Sequence, residues 1–181
     1  MSGEAERLNR IVSNLLNMTR LEAGVLKVAP EPCDVQDVIG VALEQFGDRP
    51  GVQQVVVNLP EDLPLASMDF VLMTQVLVNL LDNALKYSPT QTPVEVRAHV
   101  VSGHLQIEVA DRGMGIPPED LKHVFDKFYR VQRPGNVSGT GLGLSICRHI
   151  IEEHGGTIDI KSSGMAGQGT QVRVMLPFMN G

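Results

Sequence analysis

In the stretch Gln75-Val76-Leu77-Val78-Asn79-Leu80-Leu81-Asp82-Asn83-Ala84-Leu85-Lys86-Tyr87-Ser88, the amides of Gln75, Asn79 and Asn83, followed by Lys86 or Tyr87, recur at helical steps. On a helix that spacing stacks them along one edge. Carboxamide oxygens suit a hard cation such as Mg²⁺, which keeps several waters and shares them with phosphates, and an amine one turn further on meets a phosphate. Taken alone, the same stripe also fits a plain solvated helix face.

Two glycine-rich stretches follow. Asp111-Arg112-Gly113-Met114-Gly115-Ile116-Pro117 comes directly after an alternating apolar run, where glycines let a backbone approach a ligand closely. A carboxylate at Asp111 accepts from an exocyclic amino group such as that of adenine and repels the carbonyl that guanine presents there. An ordinary strand-ending turn has the same composition. Gly139-Thr140-Gly141-Leu142-Gly143-Leu144 runs into a helical pattern, so backbone N–H groups and the positive end of a helix are offered to an anion. It lacks the Lys-Ser/Thr of a P-loop and does not follow the first strand of a βαβ unit, which counts against P-loop and Rossmann folds.

The elements that must position these stretches alternate in type. Residues 4–24 carry Leu8, Ile11, Val12, Leu15, Leu16, Met18 and Leu21 at three- and four-residue steps, an amphipathic helix with Gly24 as its stop. The apolar stripe is broad, as in a member of a helical hairpin or bundle; a helix lying on its own domain is the alternative. Residues 26–32 read as an extended linker, Asp34 caps a helix over 35–46, residues 52–59 form a β-branched strand, and Asp69 caps a long helix to Tyr87. A hairpin over 94–101 and 105–110 turns at Ser102-Gly103. A helix over 118–125, a Gly-rich segment with few apolar residues resembling a lid over 130–138, a helix over 144–154 and strands over 157–162 and 169–177 complete the order. Neighbouring strands joined by short turns favour an α+β two-layer sandwich over a doubly wound parallel sheet.

At 181 residues, with 43% hydrophobic and 20% charged residues, the chain is sized for one soluble domain with a short appendage. The net charge of -6 and the absence of Lys/Arg blocks exclude a nucleic-acid groove or a basic membrane patch. Cys33 and Cys147 lack CxxC spacing, so zinc and redox pairs have no support and a reducing, cytoplasmic setting is expected. No apolar run approaches the ~20 residues that span a bilayer. Met1-Ser2-Gly3 reads as the start of an excised piece, whose parent protein is expected to be anchored in the inner membrane.

The amide helix, the DxGxG turn, the aromatic cluster Phe125-Asp126-Lys127-Phe128-Tyr129 and the glycine cradle occur in one order, and together they resemble the histidine kinase catalytic domains of the Bergerat, or GHKL, ATPase superfamily. Asn79 to Tyr87 is similar to their N box, Asp111 to Gly115 to the G1 box, Phe125 to Phe128 to the F box, and Gly139 to Leu144 to the G2 box. The run Val109-Ala110-Asp111-Arg112-Gly113 and the stretch from Phe125 to Arg130 look most like the potassium-responsive, KdpD-like branch. The resemblance covers roughly residues 33–178 and implies a mixed β-sheet packed on three helices, binding ATP and Mg²⁺.

Carried over, it implies that Asn83 coordinates Mg²⁺ with Asn79 beside it as ligand or water organiser. Lys86 and Tyr87 would meet phosphates or ribose, Asp111 the adenine amino group, with Gly113, Gly115 and Ile116 shaping that pocket. Phe128 would join the nucleotide site, Arg130 would reach the γ-phosphate, and Gly139, Thr140, Gly141, Leu142 and Gly143 would close over the triphosphate. Thr170 would support Asp111 through a water. Residues 1–27 are similar to the second helix of a dimerisation hairpin, and residues 28–181 to the catalytic domain. None of His99, His104, His123, His149 or His154 has the sequence context of a phosphoacceptor. The implied reaction is γ-phosphate transfer to a histidine on a hairpin of a homodimeric parent kinase, with a response regulator downstream. Two rivals remain at this level: a clamp ATPase, whose relatives tend to carry a Glu base where Asn79 stands, and a signalling module with vestigial nucleotide binding.

Overall fold

Alternation decides the sheet. In β4 (Val94–Val101) the residues Val94, Val96 and Ala98 are buried, while Glu95, Arg97 and His99 between them face outward; β7 (Thr170–Pro177) repeats this with Val172, Val174 and Leu176. The computed structural model describes residues 2–47, 51–89, 91–131 and 141–178. Its main sheet has the order β2-β4-β5-β7-β6, with β2 (Val55–Asn58), β5 (His104–Ala110) and β6 (Thr157–Ser162). β2 runs parallel to β4 and every other pair is antiparallel, so the sheet is mixed as expected. The β4–β5 hairpin turns on Ser102 and Gly103, both at positive φ, as a two-residue hairpin loop requires. On the outer face Arg97 bonds Glu108 across the strands at 2.8 Å, which explains a carboxylate buried there.

Helices α2 (Val35–Glu44), α3 (Phe70–Tyr87) and α5 (Gly143–Glu153) cover the inner face. Asp34 caps α2 by accepting from Gln36 N at 2.9 Å, and Asp69 caps α3 through Leu72 N at 3.1 Å, each worth about 1 kcal/mol. Asp69 is a junction. Its Oδ2 also accepts from Ala29 N, and its own N–H donates to His154 Nε2 at the end of α5. That bond makes His154 the tautomer protonated at Nδ1, which faces the Ile150 carbonyl at 2.8 Å.

The extended linker expected over 26–32 is shorter than that. Glu31–Cys33 forms β1, which pairs antiparallel with β3 (Ala66–Met68) as a separate two-stranded sheet. Three-residue strands carrying Pro32 leave no alternation to detect. The strand expected over 52–59 opens as a 3₁₀ turn, Val52–Gln54, and the helix expected over 118–125 is the single turn α4 (Pro118–Leu121).

Helix α1 (Ser2–Glu22) ends where Gly24 enters the left-handed region: Gly24 N donates to Leu21 O and Val25 N to Arg20 O, a Schellman cap. α1 lies against the domain with Met18, Asn14 and Asn17 buried, and it leaves Leu8, Val12, Leu15 and Leu16 exposed. No described helix is long and apolar enough to cross a membrane.

Candidate functional site

A cleft opens between α3, the turn after β5, the start of α5 and helix α1. Asn79, Asn83, Lys86 and Tyr87 from α3 line it, together with Asp111, Ile116 and Thr170 and the apolar Val109, Ile160 and Val172. Arg130, Gly141 and Gly143 line its remaining edge. The N-box amides and the G1 aspartate thus share one cavity. Gly113, Gly115, Leu142 and Phe128 are not among its lining residues, and Gly139, Thr140 and residues 132–138 of the lid-like segment lie outside the described residues.

The Asp111 turn is held by hydrogen bonds that leave little room for side chains. Asp111 Oδ1 accepts from Gly113 N at 2.9 Å and from Thr170 N at 3.3 Å, and Asp111 N donates to the Thr170 carbonyl at 2.9 Å. Thr170 therefore touches Asp111 directly through its backbone. A Cβ on Gly113 would lie 2.1 Å from the Tyr87 carbonyl oxygen, so only glycine lets this turn meet the end of α3. Ser162 Oγ accepts from Ile116 N at 2.7 Å and donates to the Gly169 carbonyl at 3.0 Å, tying the turn to β6 and β7.

At the other end, Phe128 has a φ of 64°, is an exposed residue, and its N–H donates to the Gly141 carbonyl at 2.9 Å. Leu142 is fully buried at the entrance to α5, and Gly143 brings the first turn of that helix against the Asn79 side chain. Backbone donors of α5 thus open beside the amide stripe, where an anion is favoured by the helix end. Lys86 is drawn to Asp82 one turn back at 2.9 Å, and Arg10 of α1 approaches the same carboxylate at 3.7 Å. Tyr129, also on the cleft wall, donates to Asp120; that bond first, then burial and nearby carboxylates, raises its phenol above the ordinary value.

Asn79 is engaged on both atoms of its amide. Its Nδ2 donates to Asn14 Oδ1 at 3.4 Å and its Oδ1 accepts from Asn14 Nδ2 at 3.5 Å, while Gln75 pairs with Asn14 and Asn17. Among the described residues no three His, Cys, Asp or Glu side chains converge; the oxygen donors on the cleft lining include the amides of Asn79 and Asn83 and the carboxylates of Asp82 and Asp111. That donor set suits Mg²⁺.

A family model described as histidine kinase-, DNA gyrase B-, and HSP90-like ATPase matches residues 68–180, more than half of the chain. The chain belongs to that family. The sensor protein KdpD of Escherichia coli K12 is 42% identical to this ATPase-family chain over 150 residues, 82% of the chain and 17% of KdpD. The sensor protein SrrB of Staphylococcus aureus MRSA252 is 38% identical over 179 residues, 96% of the chain and 30% of SrrB. The chain therefore spans less than a third of these relatives. Among solved structures, the mycobacterial sensor histidine kinase MprB superposes with a TM-score of 0.71 at 29% identity, covering 84% of this chain and 100% of that one. The Acinetobacter baumannii histidine kinase AdeS gives 0.76 at 27% identity, covering 98% and 82%. The KdpD likeness agrees with the branch suggested by the run from Val109 to Gly113.

Several residues that shape the ATPase-family cleft were not foreseen from sequence. Ser162, Gly169 and Asp82 act through the positions they hold, and Arg7, Arg10, Ile11 and Asn14 reach the cleft from α1. The sequence does carry one signal for the last group: Arg7, Arg10, Asn14 and Asn17 fall on one helical face, beside the apolar stripe.

Proposed function

We propose that this chain is the ATP-binding catalytic unit of a sensor histidine kinase, which holds Mg-ATP in the cleft and presents its γ-phosphate to a histidine on a hairpin. The single observation that carries this reading is that Asn83 and Asp111 line one and the same cavity, together with the first turn of α5. In it, Asp111 receives the adenine amino group, with Ile116 and Thr170 packed against the base and Gly113 and Gly115 shaping the turn. Asn83 supplies an oxygen to Mg²⁺, with Asn79 ordering its surroundings. Lys86, Tyr87 and Arg130 meet phosphates and ribose, and Gly139, Thr140, Gly141, Leu142 and Gly143 close over the triphosphate beside Phe128. Bound Mg²⁺ would neutralise phosphate charge; the side chains supply alignment and electrostatic complement, which is what phosphoryl transfer chiefly needs.

Residues 1–27 act in this reading as the second helix of the dimerisation hairpin. Their exposed Leu8, Val12, Leu15 and Leu16 are the face that a hairpin partner would cover. A homodimeric parent kinase and a response regulator are the partners it implies. The ShkA kinase solved with AMPPNP shares this fold at a TM-score of 0.81 and 24% identity.

The test is incubation of the chain with γ-labelled Mg-ATP, with and without a hairpin that bears an accessible histidine. Label is expected on the hairpin alone. Strong labelling of the isolated chain, or steady hydrolysis without transfer, would overturn the reading.

A further inference from the structure

Helices α1 and α3 lie antiparallel along the cleft, and their contacts step in register. Asn17 meets Gln75, Asn14 meets Asn79, and Arg10 meets Asp82, each step of about one turn along α1 matching one turn back along α3. The next turn of α1 carries Arg7, which lines the same cleft as Lys86 and Tyr87. Arg7, Arg10 and Asn14 all line the cleft.

This contact face is unusual in kind. A helix that docks for stability buries its apolar stripe; α1 sends only Met18 of that stripe into the core, sets the buried Asn14 and Asn17 and the half-buried Arg10 against α3, and leaves Leu8, Val12, Leu15 and Leu16 exposed. Burying the amides of Asn14 and Asn17 gains little net stability, and the guanidinium groups of Arg7 and Arg10, left reachable on the cleft lining, suit a charged ligand. The charges of the cleft lining agree. Among the described lining residues Lys86 and Arg130 are balanced by Asp82 and Asp111, so the lining without α1 is neutral; Arg7 and Arg10 make four cations against two carboxylates. A surplus of two positive charges, in a protein of net charge -6, gathers where a magnesium-bound triphosphate would place its residual negative charge.

We infer that Arg10, assisted by Arg7, is a phosphate-binding residue that α1 delivers to the β- and γ-phosphate end of the cleft, so that docking of α1 and tight triphosphate binding are one event. The Asn14–Asn79 amide pair sets the register, and Asp82 holds Arg10 and Lys86 side by side until phosphate oxygens take over as their acceptors. This rests on the nucleotide reading of the cleft given above.

The experiment compares Mg-ATP, Mg-ADP and AMP binding to the whole chain by calorimetric competition, for wild type, Arg10→Ala, Arg10→Lys, Asn17→Ala and Asp111→Asn. Arg10→Ala should weaken ATP by roughly tenfold and ADP by less, leave AMP unchanged, and be largely rescued in Arg10→Lys. Asn17→Ala removes no charge from the cleft but loosens α1, and should reproduce the phosphate-dependent loss in milder form. An equal loss for ATP and AMP in Arg10→Ala would mean that the helix only shapes the cleft, and tighter ATP binding would mean that it plugs it; either overturns the inference. Asp111→Asn separates the two readings: if it weakens all three nucleotides while Arg10→Ala changes none, only the role of Arg10 fails. If Asp111→Asn also changes nothing, the nucleotide reading itself fails.

Discussion

Asp111 and Thr170 hold each other twice, the Asp111 N–H donating to the Thr170 carbonyl at 2.9 Å and the Thr170 N–H donating back to Asp111 Oδ1 at 3.3 Å. The carboxylate is thereby oriented by backbone from β7, with Gly113 N as a third donor to the pair. Asn at this position keeps an acceptor oxygen for those N–H groups but loses the anionic acceptor for an adenine amino group. Asp111→Asn is therefore expected to lower adenine-nucleotide affinity by roughly tenfold or more while leaving the thermal midpoint nearly unchanged. Titration beside thermal melting checks both halves, and a large fall in the midpoint with affinity intact would make Asp111 a purely structural residue.

Gly169 and Gly167 separate strain from collision. Both have positive φ, 69° and 86°, so either alanine costs roughly 1–2 kcal/mol of backbone strain. A Cβ at 169 would also lie 1.8 Å from the Asp111 carbonyl oxygen, whereas at 167 nothing stands within 4 Å. Gly169→Ala should lower the thermal midpoint by several degrees more than Gly167→Ala and should weaken nucleotide binding, because relief of the clash moves Asp111. Equal midpoints for the two variants would contradict the packing described for this turn.

What the sequence made legible follows from how local each signal is. The caps at Asp34 and Asp69, the Ser102-Gly103 hairpin and the alternation in β4 depend on neighbours a few residues away, and all appear in the structure, whereas the alternation expected over 105–110 does not, because β5 is the central strand and buries Leu105 to Val109 throughout. The amide stripe and the Asp111 turn were readable as ligand-binding chemistry, and the structure brings them to one cavity. The β1–β3 pair was not readable, because its stability comes from partners 35 residues apart in chain, as between Cys33 and the Met68 carbonyl. Nor was the docking of α1: Arg7, Arg10, Asn14 and Asn17 look identical to a solvated face until α3 is placed opposite them. Ser162 hides for a similar reason, since a serine at a strand end signals nothing until Ile116 N and the Gly169 carbonyl converge on it.

Asn83 lines the cleft one turn beyond Asn79, on the same amide stripe of α3. If its carboxamide oxygen serves Mg²⁺, Asn83→Ala should erase the difference between ATP affinity with and without Mg²⁺ and leave metal-free binding close to wild type. Calorimetry in magnesium and in chelator measures that difference directly. A retained magnesium increment would remove Asn83 from the metal site.

Cys147 lies fully buried under α3, its Sγ directed at the Val76 carbonyl at 3.7 Å. Burial pushes its thiol from 9.0 to about 12, against the smaller opposing effects of the Asn79 side chain and the backbone. The folded state therefore holds this proton more tightly than the unfolded chain, so the associated stability is complete below about pH 9 and declines as pH rises toward 12. Lys and Tyr residues titrate in the same window, which makes the difference between proteins the useful quantity. Urea midpoints taken at pH 8, 9 and 10 should fall more steeply for wild type than for Cys147→Ala, by at most about 1.4 kcal/mol per pH unit. The thiol should also resist alkylation at pH 8 until the chain unfolds. Parallel slopes together with rapid alkylation of the native protein would mean that α5 does not seal against α3, and the wall that carries Asn79 would then lack the rigid backing that its role at the cleft requires.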